Sequence, residues 1–429
     1  MYTNFKKRFL IPLVILLLLC FAGCKQSKKQ EHPPVSTQPT TPVYTPTVSE
    51  ETYKEDPAAY IVFTRSAAPT KCYVSVSEIM EYTTQYPDCN GTWFRDQFQG
   101  EDLCIYNGYL YAMENHYTSF ELYVEDNDKD FSYIRNALSL DSPFVAQNYD
   151  HSEKFWSQPT NYIGERLLVH SDQFTASRWE KNMEALEKCR EIVSTIPDTA
   201  STQEAKMEYL YRYVCENVAY EDYDLVGRDD YLYDAVIEGV TFCDGYSNML
   251  NLLFRLAGIE SYEAMGSNVE DLYNATEEEL ENYGGHTWVV AQLDGQFYNF
   301  DPTFDSTTDW NDGVLHYFAY SDDLVSTKYI DLEQYRPKCT DTSRDFPYAH
   351  MIVANITDEN IAKSIVDLTE QRASNGEYST IIAVQAPVSS GDFDNFLVYY
   401  EQYNQKIRHV DFYFEDMRNS TVLELVAKT

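Results

Sequence analysis

The sequence is short of positive charge: 32 Lys and Arg stand against 69 Asp and Glu, a formal net charge of -37. A body this acidic repels phosphate backbones and bare anionic lipid, which argues against nucleic-acid binding. Closely spaced cysteine ligands are missing as well. The nine cysteines, at positions 20, 24, 72, 89, 104, 189, 215, 243 and 339, form no Cys-x-x-Cys pair. That spacing offers no zinc centre and no tight disulfide framework, although a pairing among Cys72, Cys89 and Cys104 stays open. No metal and no cofactor is expected. Nor is there an apolar run of the roughly 20 residues that a membrane-spanning helix needs.

What is present is a globular composition, 44% hydrophobic and 24% charged, over 429 residues. At roughly 100–200 residues per domain this length suggests two or three domains. The 37 tyrosines are an excess, but core and interface packing use tyrosine as readily as ligand contacts do.

The N-terminus has the order of a secretory signal: Lys6, Lys7 and Arg8, then the short apolar run Phe9 to Phe21, then small residues. The closing Phe21-Ala22-Gly23-Cys24 resembles the lipobox of bacterial lipoproteins, with Phe21 standing where an aliphatic residue is usual. That resemblance implies a signal peptide over 1–24, with Cys24 lipidated and holding the protein on the extracytoplasmic face of the cell membrane. An ordinary cleaved signal or an uncleaved single anchor are the plainer alternatives. Residues 25–57 are rich in Pro, Thr, Ser, Gln and Lys and poor in large aliphatics, so burial cannot offset their ordering entropy. They read as a tether.

Three further segments follow. Residues 58–158 alternate short apolar-aromatic runs with turn residues and read as a small α+β accessory domain. Within it, Asn107-Gly108 between Cys104-Ile105-Tyr106 and Tyr109-Leu110-Tyr111 predicts a hairpin. From about Tyr162 to Tyr220 the pattern predicts helices, with Trp179, Met183, Leu186, Cys189 and Ile192 recurring at three- and four-residue spacing. Thr202 followed by Glu204 marks the start of the second of them. These helices open a domain over 159–340. Residues 341–429 alternate strand and helix signals, with Thr357 as an expected cap and Asn375-Gly376 as a stop, and read as a C-terminal α/β accessory domain.

The chemistry is concentrated in the 159–340 segment. Cys243, in Phe242-Cys243-Asp244-Gly245-Tyr246, immediately precedes the apolar run Met249, Leu250, Leu252, Leu253 and Leu256, which ends at Gly258. A cysteine at a helix N-terminus sits among unsatisfied backbone N–H groups that favour a thiolate and can receive an oxyanion. Downstream, Thr287 to Leu293 and Gln296 to Phe300 are strand-like runs around Asp294-Gly295, a type I′ signature that sets Leu293 opposite Gln296. Continued along the ladder, this register makes His286 and Asp301 diagonal neighbours on one face. Their backbones would then be roughly 7–8 Å apart, a gap these side chains bridge. Pro302 cannot donate to the ladder and should end the strand beside Asp301. A lone cysteine is usually a small hydrophobe, and a lone histidine or an aspartate before proline is usually structural. All three together, with the register agreeing, point to Cys243 as nucleophile, His286 as base and Asp301 as its orienter. The run Glu277-Glu278-Glu279 with Glu281 reads as a solvated face rather than a calcium site.

Cys243-Asp244-Gly245-Tyr246, Gly258-Ile259, His286-Thr287-Trp288 and Leu293-Asp294-Gly295-Gln296-Phe297-Tyr298 leading into Asp301-Pro302-Thr303 resemble the core of the transglutaminase-like superfamily. The likeness spans about Thr202 to Tyr320. It implies a papain-like fold, an α+β core with a cysteine-bearing helix packed on an antiparallel sheet, and the same three residues as a triad. It also offers Tyr220 as an aromatic lining the oxyanion site, and places Phe304 where the family often has Trp. The activity implied is acyl transfer from a peptide or glutamine amide through a thioester. A peptidase or deamidase resolves that thioester with water, a transglutaminase with an amine, and the partner is a protein or peptide substrate. The alternative is a surface binding or assembly protein that keeps the fold as a scaffold.

Overall fold

The computed structural model describes residues 49–65, 71–124, 132–146, 161–163, 166–170, 176–221, 230–268, 285–307, 315–325, 329–331, 336–346, 349–417 and 420–428. The expected signal segment with Cys24, most of the tether and the acidic run at 277–281 lie outside these residues. No described helix is long and apolar enough to cross a membrane.

The first part is an antiparallel sheet with helices. Strands β1 (Tyr60–Thr64) and β2 (Lys71–Ser75) lead into α1 (Val76–Met80), which opens on a capping box between Ser75 and Glu78. Helix α2 (Gly100–Glu114) is buried from Cys104 onward, and strands β3 (Ser119–Tyr123), β4 (Asn161–Ile163) and β5 (Arg166–His170) complete the order β2-β1-β3-β5-β4.

Two expectations are corrected here. Asn107 and Gly108 lie in the middle of α2, not in a hairpin turn. The Asn107 amide donates to the carbonyls of Ile79 and Met80 and accepts from Arg95 Nε, so it closes the end of α1 and ties down the segment after it. At Gly108 a Cβ would stand 2.9 Å from the Phe120 ring, so glycine is there to let β3 approach the helix. Residues 161–170, read as the beginning of a helical stretch, instead form the last two strands of this sheet, and the helix begins only at Ala176.

Helices α3 (Ala176–Ser194) and α4 (Gln203–Asn217) follow, the latter capped by Thr202, whose hydroxyl accepts from Ala205 N at 3.1 Å. A short parallel pair, β6 (Ala219–Tyr220) and β7 (Val240–Thr241), delivers the chain to α5 (Cys243–Leu256). Then come β8 (Ser261–Asn268), β9 (Gly285–Leu293), β10 (Gln296–Phe300), α6 (Pro302–Thr307), β11 (Phe318–Tyr320) and β12 (Tyr329–Asp331). These strands make an antiparallel sheet in the order β11-β10-β9-β8-β12, with α5 packed on β8 and β9. A cysteine-bearing helix against an antiparallel sheet is the papain-like α+β layout. The β9–β10 turn has the expected register, Leu293 opposite Gln296, and Asp294 and Gly295 both have positive φ, 52° and 83°, as a type I′ turn demands.

One apolar core runs from Ile61 through α2, α3 and α5 to Ala319, so it does not divide near residue 158. A separate core, from Val353 to Leu425, belongs to the C-terminal part. There β13 (Met351–Val353) runs parallel to β14 (Ser379–Val384), and β15 (His409–Met417) and β16 (Ser420–Lys428) complete the order β13-β14-β16-β15. Helices α7 (Glu359–Ser374) and α8 (Ser390–Tyr403) accompany the sheet. The α7 cap is Asp358, one residue beyond the expected Thr357.

Candidate active site

The first turn of α5 is fixed from both sides. Phe242 is its N-cap in extended conformation and offers no side-chain acceptor, which leaves Cys243 at the first helical position next to backbone N–H groups without a side-chain cap. A Cβ at Gly245 would lie 2.1 Å from Thr241 Oγ1, so only glycine lets the helix start this close to β7. Tyr246 anchors the same turn through its hydroxyl, 2.7 Å from the Val218 carbonyl. The Cys243 side chain is nearly buried, with its residue 8% exposed.

His286 stands near the start of β9, opposite Gly266 of β8. Its Nε2 is 2.7 Å from Asp301 Oδ2, and the Cys243 thiol is a second side-chain hydrogen-bond partner of the ring. Burial works against the charged ring. The Asp301 carboxylate, with a smaller contribution from Cys243, outweighs it and holds the imidazole up to about 10. The β9–β10 ladder ends at Phe300 opposite Val289. Asp301 N turns instead to the Tyr317 carbonyl, and Asp301 Oδ1 accepts from Thr303 N and Phe304 N, so the fully buried carboxylate is oriented by the opening turn of α6. Trp288 stacks at 6.1 Å and Phe304 packs at 5.1 Å against the imidazole. Trp288 is in turn held by Asn299 Oδ1 at 2.9 Å, and Asn299 Nδ2 reaches the Tyr320 carbonyl and Asp322.

Residues 190–302 match the model of the transglutaminase-like superfamily, and the match takes in Cys243, His286 and Asp301. This segment is a transglutaminase-like domain. Among solved structures, the periplasmic domain of TgpA from Pseudomonas aeruginosa is 19% identical over 34% of this chain and 59% of its own, with a TM-score of 0.23. A structure described as a TGase is 14% identical over 44% of this chain and 50% of its own, with a TM-score of 0.24. In both, the matched part is less than two thirds of the other protein's chain. No curated protein matches the sequence.

The three side chains singled out in the sequence of the transglutaminase-like domain are thus brought together in space. Tyr220 is on the neighbouring β6, opposite Thr241, 44% exposed, with its ring 6.5 Å from that of Tyr246. Three carboxylates close to the centre were not anticipated. Asp244 Oδ2 is 3.7 Å from Cys243 Sγ. Glu263 on β8 accepts from Asn248 Nδ2 at 2.7 Å. Asp305 of α6, pushed by burial up to about 7, accepts from Tyr211 and from the backbone of His316 and Tyr317. A signal for the first was available: Asp244, Ser247, Asn248 and Asn251 recur at helical spacing and form a polar stripe on α5.

Among the described residues no group of three or more His, Cys, Asp or Glu is placed to hold a metal ion. The seven cysteines among them, Cys243 included, are unbridged thiols.

Proposed function

We propose that this protein is an extracytoplasmic, membrane-anchored cysteine acyl-transfer enzyme acting on peptide or glutamine amide bonds. The observation that carries the reading is the position of His286, bonded on Nε2 to a buried carboxylate and in contact with the Cys243 thiol. With Nε2 committed to Asp301, Nδ1 is the ring nitrogen left to exchange a proton with sulfur. The thiolate of Cys243 attacks the amide carbonyl carbon, and backbone N–H groups at the start of α5 are suited to receive the oxyanion. As the tetrahedral intermediate collapses, the carbon–nitrogen bond breaks and His286 gives its proton to the departing ammonia or amine. The thioester then passes its acyl group to water, as in a peptidase or deamidase, or to an amine, as in a transglutaminase, with His286 taking the nucleophile's proton. The basic, apolar and small-residue order before Cys24 supports placing this chemistry outside the cytoplasm on a lipid anchor.

The test is Cys243→Ala. Thiol-directed labelling above the background of the other cysteines should vanish, and so should turnover in amine-incorporation and peptide-cleavage screens, with the circular dichroism spectrum unchanged. Activity that persists in this variant rejects the assignment. An inert Cys243 in the wild type favours the scaffold reading.

A further inference from the structure

The sheet that carries His286 is covered on its two faces by different parts of the chain. Side chains alternate along β9. Val289, Ala291 and Leu293 belong to the apolar core that α5 shares, whereas Trp288 and Val290 pack with Tyr317, Tyr320 and Cys339 on the opposite face. His286 stands two positions before Trp288 and stacks on it, so its ring belongs to that second face. Residues 336–346 are laid along it. Cys339 and Asp322 exchange two hydrogen bonds there, Asp322 N to the Cys339 carbonyl at 2.7 Å and Cys339 N to Asp322 Oδ2 at 2.9 Å.

The end of β9 that bears His286 is paired to β8 but lies past the ladder to β10, which stops at Val289 opposite Phe300. Its partner on β8 is Gly266, which has no side chain to press on the imidazole. Side chains therefore have to hold what the ladder does not. Trp288 Nε1 donates to Asn299 Oδ1 at 2.9 Å, and Asn299 Nδ2 donates to the Tyr320 carbonyl at 3.1 Å and to Asp322 Oδ1 at 3.2 Å. With a donor on its oxygen and two acceptors on its nitrogen, this amide has one orientation. The same Asp322 oxygen accepts from Arg336 Nη1 at 2.6 Å.

We propose that Arg336 is a positioning residue for His286: through Asp322 and Asn299 it fixes the indole of Trp288, on which the imidazole rests. The proposal rests on the reading of His286 as the base, which it deepens. The Arg336 side chain is 3% exposed and that of Asp322 23%, so the cation is locked in while its partner has a way out to water. Without the guanidinium, Asp322 gains by turning to solvent, and Asn299 then loses the bond that holds its amide. Arg336 is also placed to act on the indole directly, its guanidinium carbon lying 6.0 Å from the ring centroid. The contact from Trp288 to His286, 6.1 Å between centroids with planes 16° apart, carries the constraint to the imidazole that Asp301 holds on Nε2.

The experiment uses the full-length chain with Arg336→Gln, Asn299→Ser and the double variant, each checked for its fold by circular dichroism. Proton NMR reads the downfield signal of the His286–Asp301 hydrogen bond, assigned by its loss in His286→Gln. Arg336→Gln and Asn299→Ser should each move or broaden this signal, and the double variant should go no further than Asn299→Ser, because both changes cut one path. With an amide substrate, Arg336→Gln should lower kcat on the order of tenfold per folded enzyme and leave KM in place, as expected of a misplaced catalytic group. A change that only loosened the fold would spare both readings. If Arg336→Gln does not fold, Asp322→Asn cuts the same link with the side-chain shape kept and is read in its place. A His286 signal that stays where the wild type has it, or a double variant in which the two effects add, overturns the proposal. The NMR reading needs no turnover. If no amide is turned over by the wild type, the enzymatic reading falls and the signal still decides whether Arg336 positions the ring.

Discussion

The Tyr211 hydroxyl donates a 2.6 Å hydrogen bond to Asp305, four residues beyond Asp301, and so ties α4 to the short helix that orients the buried carboxylate behind His286. Tyr211→Phe removes that donor and leaves Asp305 with the His316 and Tyr317 amides. Because the hydroxyl favours the ionised carboxyl, its loss should push Asp305 further above its present value of about 7. The expected destabilisation is about 1–3 kcal/mol, larger at pH 8, where Asp305 is charged, than at pH 5. Urea denaturation at the two pH values measures it, and an equal loss at both would show that the hydroxyl does not act on the charge.

Stability should fall in alkaline solution through His286. The folded state holds this proton up to about 10 against a reference of 6.5, so the folded ring binds it more tightly than the unfolded one. The contribution is fully present below about pH 6.5 and is lost as pH rises from there through about 10, on the order of a few kcal/mol. Denaturation curves at pH 6, 8 and 10 check the slope. Asp301→Asn should flatten it, since the carboxylate that holds the charge is gone.

For chemistry, Asp301→Asn keeps the shape of the side chain but removes the charge that stabilises an imidazolium. Turnover should drop by about 10²–10⁴-fold with the fold retained. Initial rates on whichever amide substrate the screens return would read this, and a loss under threefold would argue that Asp301 only holds the backbone.

Gly245→Ala brings a methyl group to 2.1 Å from Thr241 Oγ1 and 2.6 Å from its Cγ2, and Thr241 is buried in β7. The helix start must shift or Thr241 must leave its place, at a cost of about 1–3 kcal/mol. The double variant Gly245→Ala with Thr241→Ala, which removes both of these atoms, should recover part of the loss in a denaturation experiment. No recovery would mean that the clash lies elsewhere.

The two dipeptides that mark tight turns show where sequence reading succeeds and where it stops. Asp294-Gly295 sits between strands that already fit one another, and both residues adopt the positive φ of the turn. Asn107-Gly108 has the same local preference. Asn107 spends its amide on the end of α1, Gly108 admits the Phe120 ring, and the helix wins through contacts distant in sequence. Arg166–His170 is a short apolar run of the kind that periodicity does not assign to helix or strand, and only its pairing with β3 settles it. Cys243, His286 and Asp301 were legible because each is placed by a local device, a helix start, a strand and the end of a hairpin. The register gave the right neighbours, although the ladder stops at Phe300 and α6 completes the approach. Asp244 left a signal in the polar stripe of α5, but such a stripe ordinarily marks a wetted face, and Glu263 was not legible, since only the packing of α5 on β8 buries it.

The apolar cluster from Ile61 to Ala319 has a consequence for heat. Its strands and helices melt in one cooperative event if they lean on the same interior, whereas the cluster from Val353 to Leu425 is free to melt in another. Scanning calorimetry of the whole chain should accordingly record two endotherms, and cutting away the segment before Ala176 should abolish the larger one instead of sparing a smaller folded domain.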